Sequence, residues 1–133
     1  MKNADSSPAA SGKIPPRDIV ERTFDFAARI IQLCGKMDER SGVGRVMMSQ
    51  ILRAGTSVPA NVEEAQAAQS KADFVSKMNI ALKEARETHL RLRLFATARI
   101  IPEKQMQPLI QEADEIRRVI GAIIVSAKRG EDV

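Results

Sequence analysis

Apolar residues return at three- and four-residue intervals through nearly the whole chain after residue 17, and this spacing is the strongest constraint on its fold. Such a stripe is the buried face of an amphipathic helix, whereas a half-buried strand alternates at every second residue. Of the 133 residues, 44% are hydrophobic but only 3% are aromatic, with no Trp and no Tyr. A core of Ala, Leu, Ile, Val and Met is typical of packed helices, since strands favour aromatic and β-branched residues.

A glycine-rich turn separates the first two helical segments. The first segment runs roughly over residues 17–37, and Ser41, Gly42 and Gly44 mark the turn after it. The second segment begins near Val43 and keeps its apolar spacing as far as Ala65. We therefore expect two neighbouring antiparallel helices with a short connection.

The second segment contains a run that a helix usually avoids, Gly-Thr-Ser-Val-Pro at residues 55–59. Pro59 lacks an amide hydrogen and crowds the carbonyl of Gly55, where the missing Cβ allows the helix to bend. The hydroxyls of Thr56 or Ser57 can bond to freed carbonyls, and the small residues let a neighbouring helix approach closely. Because bundle packing can offset a proline cost of about 3 kcal/mol, we predict a continuous second helix, kinked near Pro59.

The third and fourth segments have recognisable ends. Ser70 is a good N-cap for the third segment, and Asp73 forms a short variant of the capping box. We expect this segment to end at Ile101, because a residue before proline is pushed out of the helical region. Pro102 can then occupy the first turn of the fourth segment, which reaches about residue 128; we expect Pro108 to delay its regular start or to bend it.

Four such segments predict an all-α fold, an antiparallel up-and-down four-helix bundle. We expect a flexible tail at residues 1–16, the bundle at residues 17–129 and a short C-terminal tail at residues 130–133. The first tail lacks the apolar core of a signal peptide, and no apolar run is long enough to span a bilayer. We therefore expect no membrane partner. Because the single Cys34 cannot form an internal disulfide, we also expect a reducing, cytoplasmic location.

The positive charge of the chain is concentrated in the third segment. The formal net charge is +4, and residues 70–99 alone hold seven basic and three acidic residues. Lys83, Arg86 and Arg93 lie close together on that helix, which makes them candidate nucleic-acid-binding residues through sequence-independent phosphate contacts. The scarcity of aromatics argues against base stacking. The alternative is a solvated face whose charges pair with neighbouring carboxylates.

The third segment also carries apolar residues away from its core side. Ile80, Leu90 and Leu94 fall on a different side from the core residues, and an apolar stripe of this kind needs a cover. We predict that these three residues form an oligomer interface.

The chain contains no recognisable catalytic or metal-binding motif. Glu84-x-x-Glu87 and Glu112-x-x-Glu115 place paired acids on two helices, with residues 63–64 on a third, but a di-iron bundle needs Glu-x-x-His motifs. The only histidine, His89, completes no such motif, has no nucleophile at a characteristic spacing and is expected to be structural. We therefore predict no catalytic residue, no metal and no cofactor.

The second and third segments resemble a known family. The matching residues are Arg53, Ala54, Ser57-Val58-Pro59, Asn61-Val62, Glu64, Ser70, Phe74, Glu84 and Glu87. They resemble the bacterial four helix bundle protein family, also known from reading frames inside 23S rRNA intervening sequences. The similarity covers roughly residues 19–128, and SKADFVSKMNIALKEARET looks most like the branch with accessory proteins of diversity-generating retroelements.

This resemblance implies an oligomeric protein. Members of the family assemble as homopentamers, and the retroelement accessory proteins are basic barrels that bind nucleic acid and a reverse transcriptase. The implied partners are therefore copies of the same chain, RNA or DNA, and a reverse transcriptase or other protein. The leading prediction is a non-enzymatic, homo-oligomeric scaffold that binds such partners; the alternative is a bundle that binds a small ligand or a metal.

The signature residues of the resemblance have two interpretations. They are Arg53, Ser57, Pro59, Asn61, Glu64, Glu84 and Glu87. In the structural interpretation, which we favour, Arg53 pairs with Glu84 or Glu87 on the next helix and fixes the register of the bundle. In the functional interpretation they form a site for a ligand or a partner.

Overall fold

A computed structural model describes residues 16–36 and 42–130, which form four α-helices. They are α1 (Pro16–Lys36), α2 (Gly42–Gln66), α3 (Lys71–Thr97) and α4 (Glu103–Lys128). Neither described range contains a strand. Each helix packs against the next one in the chain, and α1 packs against α4. The predicted four-helix bundle is therefore confirmed. Among the described residues, no helix is long and apolar enough to cross a membrane.

The core is mostly aliphatic, as the composition predicts, with Phe26 and Phe95 as its aromatic members. Its largest fully buried side chains come from all four helices and are Ile19, Phe26, Ile30, Ile51, Val58, Val62, Met78, Leu92, Phe95, Met106, Ile116 and Ile120. Among the residues whose burial the structure describes, two buried side chains are polar, Thr23 and Thr88, and each hydroxyl donates to the carbonyl four residues earlier, at 2.8 Å and 2.7 Å. Because these hydroxyls are hydrogen-bonded, they avoid the cost of burying an unpaired polar group.

The helix α2 runs through Pro59 without a break, as predicted. The hydroxyl of Thr56 donates to the carbonyl of Leu52 and that of Ser57 to the carbonyl of Arg53, each at 2.8 Å. Neither carbonyl is the one that Pro59 leaves unpaired, so the predicted rescue of freed carbonyls is wrong in its detail. A helical hydroxyl reaches the carbonyl three or four residues back, which for positions 56 and 57 lies before Gly55. The bend at Pro59 stays a prediction.

The absence of a side chain at Gly55 lets α1 approach α2 closely. A Cβ atom added to Gly55 would lie 3.2 Å from two side-chain carbons of Ile30 on α1. Ile30 is fully buried and β-branched, so it has little freedom to move away. The prediction that small residues here permit a close helix contact is confirmed.

The predicted helix ends are correct to within a few residues. The Ser70 hydroxyl accepts from the amide of Asp73 at 3.0 Å, and the Asp73 carboxylate accepts from the amide of Gln69 at 3.3 Å. The helix α3 ends at Thr97, four residues before the predicted end, because residues 98–100 form a Schellman turn. Arg99 supplies its left-handed position with a φ of 62°.

The starts of three helices differ from expectation. Pro16, predicted in the tail, begins α1, since proline fits the first helical position. Gly42 and Gly44, predicted in a turn, lie inside the first turn of α2. Pro102 caps α4 instead of entering it, and α4 is already helical at Glu103, so Pro108 does not delay its start. The rest of the predicted N-terminal tail, Ser41 of the turn and residues 131–133 lie outside the described residues.

Candidate functional site

Ion pairs neutralise the charged side chains at the interface between α2 and α3. Arg53 on α2 contacts Glu87 at 2.6 Å and Glu84 at 3.4 Å. Arg91 on α3 donates to the same Glu87 at 2.9 Å and to Gln50 on α2 at 2.5 Å. The expected pairing of Arg53 with Glu84 and Glu87 is therefore present, and it ties the two helices together at a defined register. The part played by Arg91 and Gln50 was missed.

The other signature residues also serve α2 and its contact with α3. The side-chain amide of Asn61 donates to the carbonyl of Ser57 at 2.8 Å, while Pro59 is buried. Glu64 does not reach Arg53 but lies 3.5 Å from Lys77 on α3. These contacts favour the structural interpretation of the signature residues; whether a ligand or partner also uses them stays a prediction.

A second group of ion pairs joins α1 to α4. Arg22 donates to both carboxylate oxygens of Glu112, at 2.7 Å and 2.9 Å, and to Glu115 at 2.5 Å. The hydrogen bond from Arg22 to Glu112 raises the pKa of the guanidinium, which keeps it charged. No local spacing could predict this pairing, because about ninety residues separate the partners. Each of the two Glu-x-x-Glu pairs considered as metal ligands is therefore paired with an arginine of its own.

The basic residues of α3 form a surface beside α4 that lacks such neutralisation. Lys83, Arg86 and Arg93 are exposed, and so is Lys128 in the last turn of α4. Within the described ranges, none of these four residues has a carboxylate within 4.0 Å. Lys83 and Lys128 line one open depression, together with Ser76 and Asn79 but with no acidic residue. We call these four side chains, Lys83, Arg86, Arg93 and Lys128, the basic surface.

A cluster around His89 adjoins the basic surface. His89 on α3 lies with its Nε2 atom 3.9 Å from the carboxylate of Asp114 on α4. Asp114 also accepts from Arg117 at 2.5 Å and from Arg118 at 3.1 Å. Burial works against the ionisation of Asp114, but the hydrogen bond and charge of Arg117 outweigh it and lower the pKa of the carboxyl. Spacings of three and four residues from Asp114 were a sequence signal for these two arginines.

The three apolar residues predicted to form an oligomer interface are exposed. Ile80, Leu90 and Leu94 are 41%, 49% and 50% accessible, outside the core side of α3 as expected. Phe24 and Ile31 on α1, 61% and 53% accessible, were not singled out from the sequence. This exposure makes Ile80, Leu90 and Leu94 available to another chain; their role in an interface stays a prediction.

A family profile matches most of the chain, over residues 17–122, and its description is "23S rRNA-intervening sequence protein". The chain belongs to the 23S rRNA-intervening sequence protein family. The predicted family is therefore confirmed, while the placement in the retroelement accessory branch stays a prediction.

A solved structure supports both the family and the fold. It is a protein of unknown function from the S23 ribosomal protein family of Bacteroides thetaiotaomicron, 38% identical to this chain. The similarity covers 82% of this chain and 96% of that one, with a TM-score of 0.74. No curated protein matches the chain.

Proposed function

We propose that this member of the 23S rRNA-intervening sequence protein family is a non-enzymatic, homo-oligomeric scaffold that binds nucleic acid through the basic surface. The observation that carries the proposal is the difference between the two sides of α3. Toward α2, the charges of Arg53, Glu84, Glu87 and Arg91 are joined in one network. On the basic surface, four cations have no carboxylate within 4.0 Å among the described residues. Unpaired cations of this kind are available to phosphates.

The geometry of the basic surface suits a phosphate backbone. Lys83 and Arg93 are ten residues apart, which is about 15 Å along a helix and about the axial length of four base pairs. Lysine and arginine contacts to phosphate carry no sequence information, so the expected binding is sequence-independent and strongly salt-dependent. Single strands bound by stacking would need aromatic platforms, which the basic surface lacks.

Self-association would multiply this surface. Ile80, Leu90 and Leu94 lie exposed on the same helix as the basic residues. A second copy of the chain is the proposed cover for these apolar side chains, and the resemblance to homopentamers supports a pentamer. In a ring, each subunit would contribute one copy of the basic surface, and the positive potential would grow with their number.

Two other predictions have less support in the geometry. A small-ligand or metal site would draw on the Glu-x-x-Glu pairs, but Arg53 holds one pair and Arg22 holds the other. Among the described residues, no group of three or more His, Cys, Asp or Glu side chains could hold a metal ion. A reverse transcriptase or other protein as a partner is supported by the resemblance alone.

The proposal is tested by fluorescence anisotropy with RNA and with duplex DNA across a salt series, on protein whose mass is known from light scattering. Binding should weaken steeply with salt, and Arg86→Ala with Arg93→Ala should reduce the slope of log K against log salt by about two. Arg29→Ala with Lys36→Ala removes the same charge from exposed positions on α1 and should leave the slope nearly unchanged. An intact oligomer that binds neither nucleic acid at low salt would contradict the proposal and favour a protein-binding scaffold.

A further inference from the structure

The His89 cluster contains one titratable imidazole with three arginines around it. His89 and Arg93 come from α3, and Asp114, Arg117 and Arg118 come from α4. The imidazole is mostly buried, with 16% of its side chain accessible, and lies 3.9 Å from Asp114. His89 and Arg93 also line a depression of about 320 Å³ between the two helices, with Thr97, Glu103 and Gln107. The depression is partly open to solvent, so a small anion could reach His89 and Arg93 there.

The cluster holds more positive than negative charge. Arg93, Arg117 and Arg118 act on His89, and Asp114 is the acidic group closest to it. Glu103 shares the depression and accepts from Gln107 at 2.9 Å, so three arginines stand against two carboxylates. Arg118 is 70% exposed, and the Nε atom of Arg117 is buried with no hydrogen-bond acceptor in the described part of the chain. Donors and charge therefore remain after Asp114 has made its contacts.

The same surroundings disfavour protonation of His89 in the free protein. Burial lowers the pKa of His89 below the usual 6.5, the charge of Arg117 lowers it further, and the attraction of Asp114 only partly compensates. Arg93 and Arg118 act in the same direction as Arg117. An anion bound against these arginines would offset their repulsion and so favour the protonated imidazole.

We propose that an oxyanion binds against His89 and Arg93 in this depression, where the positive charge of Arg118 also attracts it, and that His89 takes up a proton as the oxyanion binds. The natural oxyanion, a nucleic-acid phosphate, rests on the proposed function; the site itself rests on the His89 cluster. The proton comes from solvent and forms an N–H bond on the imidazole, and no bond between heavier atoms forms or breaks. By linkage, the affinity for the oxyanion increases as the pH falls, by at most tenfold per pH unit for one proton.

The chain offers a direct readout, because His89 is its only histidine. The titration of its ring resonances by NMR gives the pKa of this one group in the whole protein. We would compare chloride with sulfate at equal ionic strength between pH 5 and pH 8, since sulfate is an oxyanion that does not titrate there. Sulfate should raise the midpoint of His89 by about one pH unit, as expected for an opposite charge close to the ring.

Two variants separate the site from general salt effects. Arg118→Gln changes an exposed side chain and should remove most of the difference between sulfate and chloride. Arg29→Gln removes the same charge from α1, where the side chain is also exposed, and should keep that difference. His89→Gln should retain salt-dependent binding of an oligonucleotide but lose the increase in affinity at low pH.

The outcomes for this inference and for the proposed function are distinct. A His89 midpoint that is the same in sulfate and chloride overturns the inference, even if an oligonucleotide binds to the protein. A midpoint that sulfate raises, in protein that binds no oligonucleotide, supports the oxyanion site and overturns the proposed function. A midpoint raised by sulfate and by an oligonucleotide alike supports both.

Discussion

The helix α3 carries charge on two sides, and the two sides differ in what holds that charge. Facing α2, Glu84 and Glu87 are bound by Arg53, and Arg91 completes the network. Facing solvent beside α4, the cations of the basic surface have no carboxylate within 4.0 Å among the described residues. A count of charges along the sequence treats the two sides alike. Their difference teaches that the net charge of a helix says little until its neighbours are known, because only unpaired charge is available to a partner.

We expect the largest loss of stability when the ion pairs between α1 and α4 are removed. This change measures how much the pairing of charges across a helix interface contributes to the fold. Arg22→Ala would leave Glu112, 21% accessible, with no cation to offset its partial burial. We expect the free energy of unfolding to fall by about 2–3 kcal/mol, less than for a fully buried pair. Urea denaturation measures this change; a loss below about 0.5 kcal/mol would show that Arg22 is merely a surface charge.

Arg53→Ala tests the neutralised side of α3 itself. Arg53 is 54% exposed, but Glu84 and Glu87 are only 15% and 22% accessible, so the cost falls on these carboxylates: Glu84 loses its cation, while Glu87 keeps Arg91. We expect a loss of about 1–2 kcal/mol in urea denaturation. The double variant Arg53→Ala with Glu87→Ala should recover part of this loss. If Glu87→Ala costs as much stability in the Arg53→Ala background as in the native protein, Arg53 and Glu87 do not interact.

Two glycines allow a comparison between a tight helix contact, at Gly55, and an open position, at Gly121. An alanine Cβ at Gly55 would lie 3.2 Å from Ile30, whereas one at Gly121 on α4 would meet nothing within 4 Å. Gly121→Ala should therefore stabilise the protein by about 0.5–1 kcal/mol through helix propensity, while Gly55→Ala should destabilise it by about 1 kcal/mol. Thermal unfolding gives both changes, and a stabilising Gly55→Ala would show that α1 yields at this contact.

The pH dependence of stability should show the smallest effect. The pKa of His89 is lower in the folded protein than the usual 6.5, so the unfolded chain binds the proton first as the pH falls. The contribution of His89 is fully present above about pH 6.5 and is lost as the pH falls through the folded pKa. Relative to His89→Gln, the native protein should lose stability between pH 7.5 and pH 5.5. A difference of the opposite sign would mean that Asp114 dominates the surroundings of His89.

Most of the fold could be predicted from the sequence, because helix propensity and apolar spacing are local. The cap at Ser70, the continuity of α2 through Pro59 and the four helices all follow from residues close together in the chain. The errors came at the ends, where tertiary contacts decide: Arg99 adopts a left-handed conformation that a glycine would favour, and Ile101 turns back into the core.

The candidate site could be predicted only in part. Lys83, Arg86 and Arg93 were found because they lie on one helix, and the pairing of Arg53 was found because its partners lie on the next. Arg22 with Glu112, and His89 with Asp114, join residues from distant parts of the chain, so no local spacing reveals them. Lys128 belongs to the basic surface only because α4 runs beside α3.

The central claim is that the charges of α3 facing α2 stabilise the fold, whereas those of the basic surface bind nucleic acid. One paired measurement tests this claim most directly. Stability in urea and the salt slope of nucleic-acid binding would be measured for Arg53→Ala and for Arg86→Ala with Arg93→Ala. We expect Arg53→Ala to lose stability and keep the salt slope, while the double variant keeps stability to within about 0.5 kcal/mol and loses about two units of slope. A slope that changes in Arg53→Ala but not in the double variant would contradict the claim.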